Sequence, residues 1–146
     1  MVRFFNQDVS FNISYRLLLK KWIKFIISSY KSKVGDISII FCSDSYLLRI
    51  NKEFLGHDYY TDIITFDYCE GKKISGDLFI SIDCVKENSL IYGCTFEEEL
   101  HRVIIHGVLH LLKEDDHTQE QKQMMREAED FALKKLADLQ SLNHEE

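Results

Sequence analysis

The 146-residue sequence contains no proline, which excludes proline-rich linkers and recognition segments. It also lacks any run near the ~20 apolar residues that cross a bilayer, so no membrane partner is expected. Its four cysteines (Cys42, Cys69, Cys84, Cys94) form no C-x-x-C pair. They read as reduced, small core residues rather than a thiolate metal site or a disulfide framework. Met1–Asp8 shows neither a long apolar region nor a small-residue cleavage site, so no secretory signal is expected and the cytoplasm is the default location. Excess positive charge is missing too. The net charge of −6 argues against a chain coated in nucleic acid.

An apolar share of 45% excludes a mostly disordered chain, and the length suits one domain spanning residues 1–146 with its own core. Charge is unevenly spread. Residues 14–33 hold six bases and no acid, whereas residues 97–146 hold 13 acids and 6 bases. A basic face on an acidic protein is therefore expected between Arg16 and Lys33, either as a solvated helix face or as a grip on phosphate.

Hydrophobic periodicity lays out the elements. Val2–Phe5 reads as a short strand. Ser14 can cap a helix with the stripe Tyr15, Leu18, Leu19, Trp22, Phe25 and Ile26. Lys33–Asp36 reads as a turn at Gly35, and Ile37–Cys42 as a buried strand. Ser43 caps a short helix carrying Leu47 and Ile50, with Phe54 as a further candidate for its apolar face. Ile63–Tyr68 and Ser75–Ser81 form a hairpin. A helix follows over residues 82–92, ended by Gly93. Thr95 and Glu98 form a capping box opening a helix to about Leu112, and Thr118 and Gln121 form a second one. The last helix turns Met124/Met125, Ala128, Phe131/Ala132, Leu136 and Leu139 inward, and Ser141–Glu146 are expected to fray. Strands and helices interleave, so the fold class is α+β: a small mixed sheet flanked by helices.

Chemistry concentrates in His101–Leu112. This helix is nearly apolar all round and so is expected to be buried. It carries His106 and His110 four residues apart, which puts both imidazoles on one face, one turn apart. Two satisfied core histidines would explain the pair alone. Asp116 and His117 follow after a short loop, and either could be a third ligand, leaving one open position for water or substrate on a single zinc. The ordinary zinc-protease signature H-E-x-x-H needs a glutamate base where this chain has Gly107, so a zinc peptidase is disfavoured. Arg102, one turn before His106, reads as a surface arginine or as a cation able to hold phosphate. Asp58 and His57 are candidates for base or metal support, or ordinary turn residues.

His106-Gly107-Val108-Leu109-His110-Leu111 resembles the H-G-x-L-H-L core of the YbeY family of metal-dependent endoribonucleases. Asn51, Asp58 and Thr61-Asp62-Ile63-Ile64-Thr65-Phe66 resemble its N…D…T-D-V-L-S-F segment, and Gly76-Asp77-Leu78-Phe79-Ile80 its G-D-I-x-I strand. The resemblance implies a mixed sheet with helices around it and one zinc at the end of the motif helix. It implies a single-strand-specific endoribonuclease that matures the 3′ end of small-subunit ribosomal RNA and surveys ribosomes, with the small subunit and its proteins as partners. The chain departs from the pattern in four places. Asp116 occupies the slot of the third histidine ligand, Lys113 replaces the loop glycine, Asp67 replaces a proline, and Leu55 stands where an arginine is usual. The lost arginine motivates a second reading, a non-catalytic assembly factor with a structural zinc.

Overall fold

The computed structural model describes residues 1–145. Its elements are β1 (Val2–Asn6), α1 (Arg16–Ser29), β2 (Lys33–Cys42), α2 (Asp44–Leu55), β3 (Ile63–Asp67), β4 (Lys73–Ser81), α3 (Ile82–Tyr92), α4 (Phe96–Leu111) and α5 (Gln119–Glu145). The sheet order is β1-β2-β4-β3, with β1, β2 and β4 parallel and β3 antiparallel to β4. The expected mixed sheet with surrounding helices is therefore present, and β3 is one of its edges.

Strand alternation divides the core into two layers. Ile37, Ile39 and Phe41 of β2 and Ile74, Leu78 and Ile80 of β4 face α1, α4 and α5. Ile64 and Phe66 of β3 and Phe79 of β4 pack on the opposite side with Leu47 and Ile50 of α2. The near-continuous apolar sequence of α4 is explained by its place between sheet and helices: Leu100, Ile104, Ile105, Val108, Leu109 and Leu111 are all buried. Trp22 of α1 donates its indole N–H to the Ala132 carbonyl of α5 at 2.7 Å, tying the outer helices together.

Most boundaries agree with the sequence reading to within a few residues, and five local expectations change. Tyr15 and Phe25 of the expected α1 stripe are exposed, the buried stripe running through Leu19, Trp22, Ile23, Ile26 and Ile27. Ser14 does not cap α1; Tyr15 takes that position with φ 59° and no side-chain cap forms. Lys33–Asp36 is not a turn but the start of β2, with a register irregularity between Val34 and Ile37. Gly35 is required there because a side chain would collide with Ser75 of β4. Met124 and Phe131 are exposed, since the buried stripe of α5 runs through Met125, Ala132 and Leu136. Finally, α5 continues past Ser141 to Glu145 where fraying was expected, while Glu146 lies outside the described residues.

Candidate metal centre

The site is built by the last two turns of α4, the loop after it, edge strand β3 and the end of α2. Helix α4 lies against the sheet because residue 107 is glycine. A Cβ there would meet Leu78 Cδ2 at 2.6 Å and Ile63 Cδ1 at 2.7 Å. The glycine in the base position of the protease signature therefore serves packing, with the β3–β4 hairpin as the close neighbour.

That seat turns His106 and His110 to the opening beside β3. Their Nε2 atoms are 3.0 Å apart. The chain leaves α4 through Lys113, at φ 72°, and brings Asp116 back over the two rings. Asp116 Oδ2 lies 3.6 Å from His106 Nε2 and 3.5 Å from His110 Nε2. Donors held ~2.0–2.1 Å from a zinc ion at tetrahedral angles lie about 3.3 Å from one another, and the three observed separations bracket that value. The donor set, two imidazoles and one carboxylate, suits zinc better than magnesium. The residues present thus fit a divalent transition metal.

Lys113 occupies a conformation that glycine adopts without strain, at a cost of ~1–2 kcal/mol for a residue with a Cβ. Its ammonium is ion-paired with Asp67 at the end of β3. Two of the departures from the family pattern, Lys113 and Asp67, thus meet across the site.

On the far side of His106 lies a partner that pattern reading overlooked. Glu129 of α5 accepts from His106 Nδ1 at 2.7 Å. Its other oxygen accepts from Arg102 Nη1 at 2.7 Å, and Arg102 Nη2 donates to Asp130 at 2.9 Å. With Nδ1 holding the proton toward Glu129, the Nε2 lone pair is directed at the ligand cluster. This is the arrangement that metal-binding histidines ordinarily need. Burial pulls the His106 pKa down, but the hydrogen bond and charge of Glu129, with Asp116 and Asp62 nearby, leave it raised overall. Burial and the charge of His106 lower the His110 pKa, against Asp116 and Asp115. A signal for Glu129 was present in the sequence: it is a carboxylate on the buried stripe of an amphipathic helix, between Met125 and Ala132, where an unpaired charge would be costly.

The other candidates are placed differently from one another. His117 lines the same cleft, yet its imidazole is absent from the cluster of ligand atoms, and its backbone N–H donates to Gln121 Oε1 within the capping box of α5. Arg102 does not present a free guanidinium for phosphate, because Glu129 and Asp130 hold it. Asp58 is outside the cleft lining; it is exposed and pairs with Lys52 at 3.2 Å. Asp62, quoted in the sequence motif but given no role there, does line the cleft, and burial raises its carboxyl pKa against the pull of His106.

The cleft holding the ligand cluster has a volume of about 610 Å³, within the range of small-molecule and cofactor sites. Its lining includes Asn51, Leu55, His57, Tyr59, Thr65 and Asp67 besides the ligand residues. The cysteines take no part. All four are free, and burial with nearby carboxylates pushes the Cys42 thiol up to about 12 and Cys84 to about 11.

Comparison with known proteins places these features in a family. A family model described as Endoribonuclease YbeY matches residues 2–137. The protein named Endoribonuclease YbeY from Bacteroides thetaiotaomicron is 51% identical over 113 residues, 77% of this chain and 82% of its own length. Its namesake from Parabacteroides distasonis is 47% identical over 132 residues, 90% of this chain and 93% of its own. Among solved structures, the solution structure of TM1509 from Thermotoga maritima matches with a TM-score of 0.64 at 25% identity, covering 94% of this chain and 93% of that one.

Proposed function

The chain belongs to the YbeY family of endoribonucleases, and from that premise we propose that it cleaves single-stranded segments of ribosomal RNA precursors, at the 3′ end of the small-subunit RNA, using one zinc ion held by His106, His110 and Asp116. The observation that carries the reading is the gathering of three ligand atoms on one wall of an open cleft, with His106 fixed from behind by Glu129.

A divalent ion supplies, when bound, Lewis-acid charge at a phosphoryl oxygen. The chain's own residues do the rest. Glu129 and Arg102 hold the His106 ring in one tautomer and one orientation. Asp62, whose desolvated carboxyl is more basic than usual, is the candidate to carry a proton inside the cleft, a role in which it replaces Asp58. Arg102 acts through Glu129 and is a positioning residue rather than a phosphate clamp.

No helix among the described residues is long and apolar enough to cross a membrane. We place the activity in the cytoplasm, where precursor ribosomes and their surveillance would bring the substrate.

The test joins metal analysis of the purified chain to cleavage of a single-stranded fragment of small-subunit RNA. His106→Ala and His110→Ala should each remove stoichiometric metal and cleavage together, and Asp116→Ala should weaken zinc binding far more than His117→Ala. The opposite order for Asp116 and His117 would move the third ligand to His117. A zinc-loaded wild-type chain that binds the small subunit yet cuts no RNA would replace the enzyme with the assembly-factor reading.

A further inference from the structure

Resting on the proposed ribonuclease reading, we infer that the stacked rings of His57 and Tyr59 are the subsite that receives one unpaired base of the RNA substrate. The two rings are 5.1 Å apart at an interplanar angle of 18°, and Tyr59 Oη lies 3.1 Å from His57 Nδ1. Both are exposed, Tyr59 at 57%, and both line the cleft that holds the ligand cluster.

The platform is built in advance of any ligand. Asn51 of α2 is 2% exposed and donates from Nδ2 to the Tyr59 carbonyl at 2.9 Å. The Asn51 carbonyl accepts from the His57 backbone N–H at 3.0 Å. One buried side chain and its own carbonyl thus clamp the loop at both aromatic positions. Exposed aromatic rings held this firmly carry area for a flat partner at little ordering cost.

Charge identifies that partner as a base rather than a phosphate. Among the described residues lining the cleft there is no lysine or arginine, whereas Asp62, Asp67 and Asp116 all line it. Of the nearby cations, Lys113 is paired with Asp67, Lys52 with Asp58 and Arg102 with Glu129 and Asp130, while Arg126 lines a separate pocket on the Glu129 side of His106. The wall around the ligand cluster therefore repels an RNA backbone except at the metal itself. A strand that enters needs a second, uncharged handle, and base–aromatic stacking supplies one without regard to sequence.

The experiment measures binding of a 2-aminopurine-labelled single-stranded RNA oligonucleotide to the zinc-loaded chain, by fluorescence quenching and by anisotropy. Tyr59→Ala should weaken affinity roughly 5- to 150-fold and abolish quenching, Tyr59→Phe should retain both, and His57→Ala should weaken binding by a smaller factor. Zinc content should be unchanged throughout. Tyr68→Ala is the control: Tyr68 is as exposed as Tyr59, at 57%, but lies outside this cleft. Wild-type affinity and quenching in zinc-loaded Tyr59→Ala would overturn the subsite while leaving the ribonuclease reading standing. A wild-type chain that neither binds nor cuts RNA would overturn both.

Discussion

Replacing Glu129 should weaken zinc binding about 10- to 100-fold, the cost ordinarily seen when the partner that orients a ligand histidine is lost. This corresponds to ~1.4–2.8 kcal/mol. The structure makes the choice of replacement informative. In Glu129→Ala, His106 Nδ1 and Arg102 Nη1 both lose their acceptor, while Arg102 keeps Asp130. Arg102 is still partly open to solvent, so the fold should lose about 1–3 kcal/mol rather than the larger cost of isolating a fully buried charge. Glu129→Gln preserves volume but has one oxygen for two donors, and its amide N–H group must face either the imidazole N–H or the guanidinium. It should therefore fall between wild type and alanine in zinc affinity. Competition with a chromogenic chelator at fixed pH measures the affinity, and urea unfolding of the metal-free chain measures the fold. Arg102→Ala should move both quantities in the same direction, because Arg102 acts through Glu129. If folded Glu129→Ala and Glu129→Gln bound zinc within twofold of wild type, the orienting role of this carboxylate would be refuted.

Gly107→Ala forces a methyl against Leu78 and Ile63, and overpacking of ~1–3 kcal/mol should exceed the ~1 kcal/mol gained in helix propensity, giving a lower urea midpoint. Burial lowers the pKa of His101 below its ordinary 6.5, against Glu97, so the unfolded chain binds that proton more readily than the folded one. Its contribution to stability is complete above about pH 6.5 and is lost as pH falls from there toward the folded pKa, and His101→Gln should reduce that part of the fall in melting temperature. Leu55 is half-exposed on the rim of a cleft with no lysine or arginine among its described lining residues, and Leu55→Arg should lower KM for single-stranded RNA roughly tenfold, ~1.4 kcal/mol, with zinc content unchanged. An unaltered KM would show that the cleft lacks a phosphate position near residue 55.

Local rules were enough for much of this protein. The i, i+4 spacing by itself puts His106 and His110 on one face, and the capping residues Ser43, Thr95 and Thr118 mark helix starts that form in the structure. Alternation of apolar residues was enough for the β3–β4 hairpin. These features depend on neighbours within a few positions, so they are written in the order of residues.

What the tertiary structure decided involves partners far apart in sequence. Glu129 reaches His106 because α5 packs on α4, and the same packing pairs Arg102 with Glu129 and Asp130. Lys33–Asp36 looks like a turn until β4 is alongside, when Gly35 becomes the residue that admits Ser75. Asp58 and Tyr59 are adjacent in sequence, yet one pairs with Lys52 in solvent and the other lines the cleft. Asp116 and His117 are equivalent candidates by spacing alone. They part company because the left-handed turn at Lys113 and the capping box of α5 direct one carboxylate toward the two imidazoles and leave the neighbouring ring outside the ligand cluster.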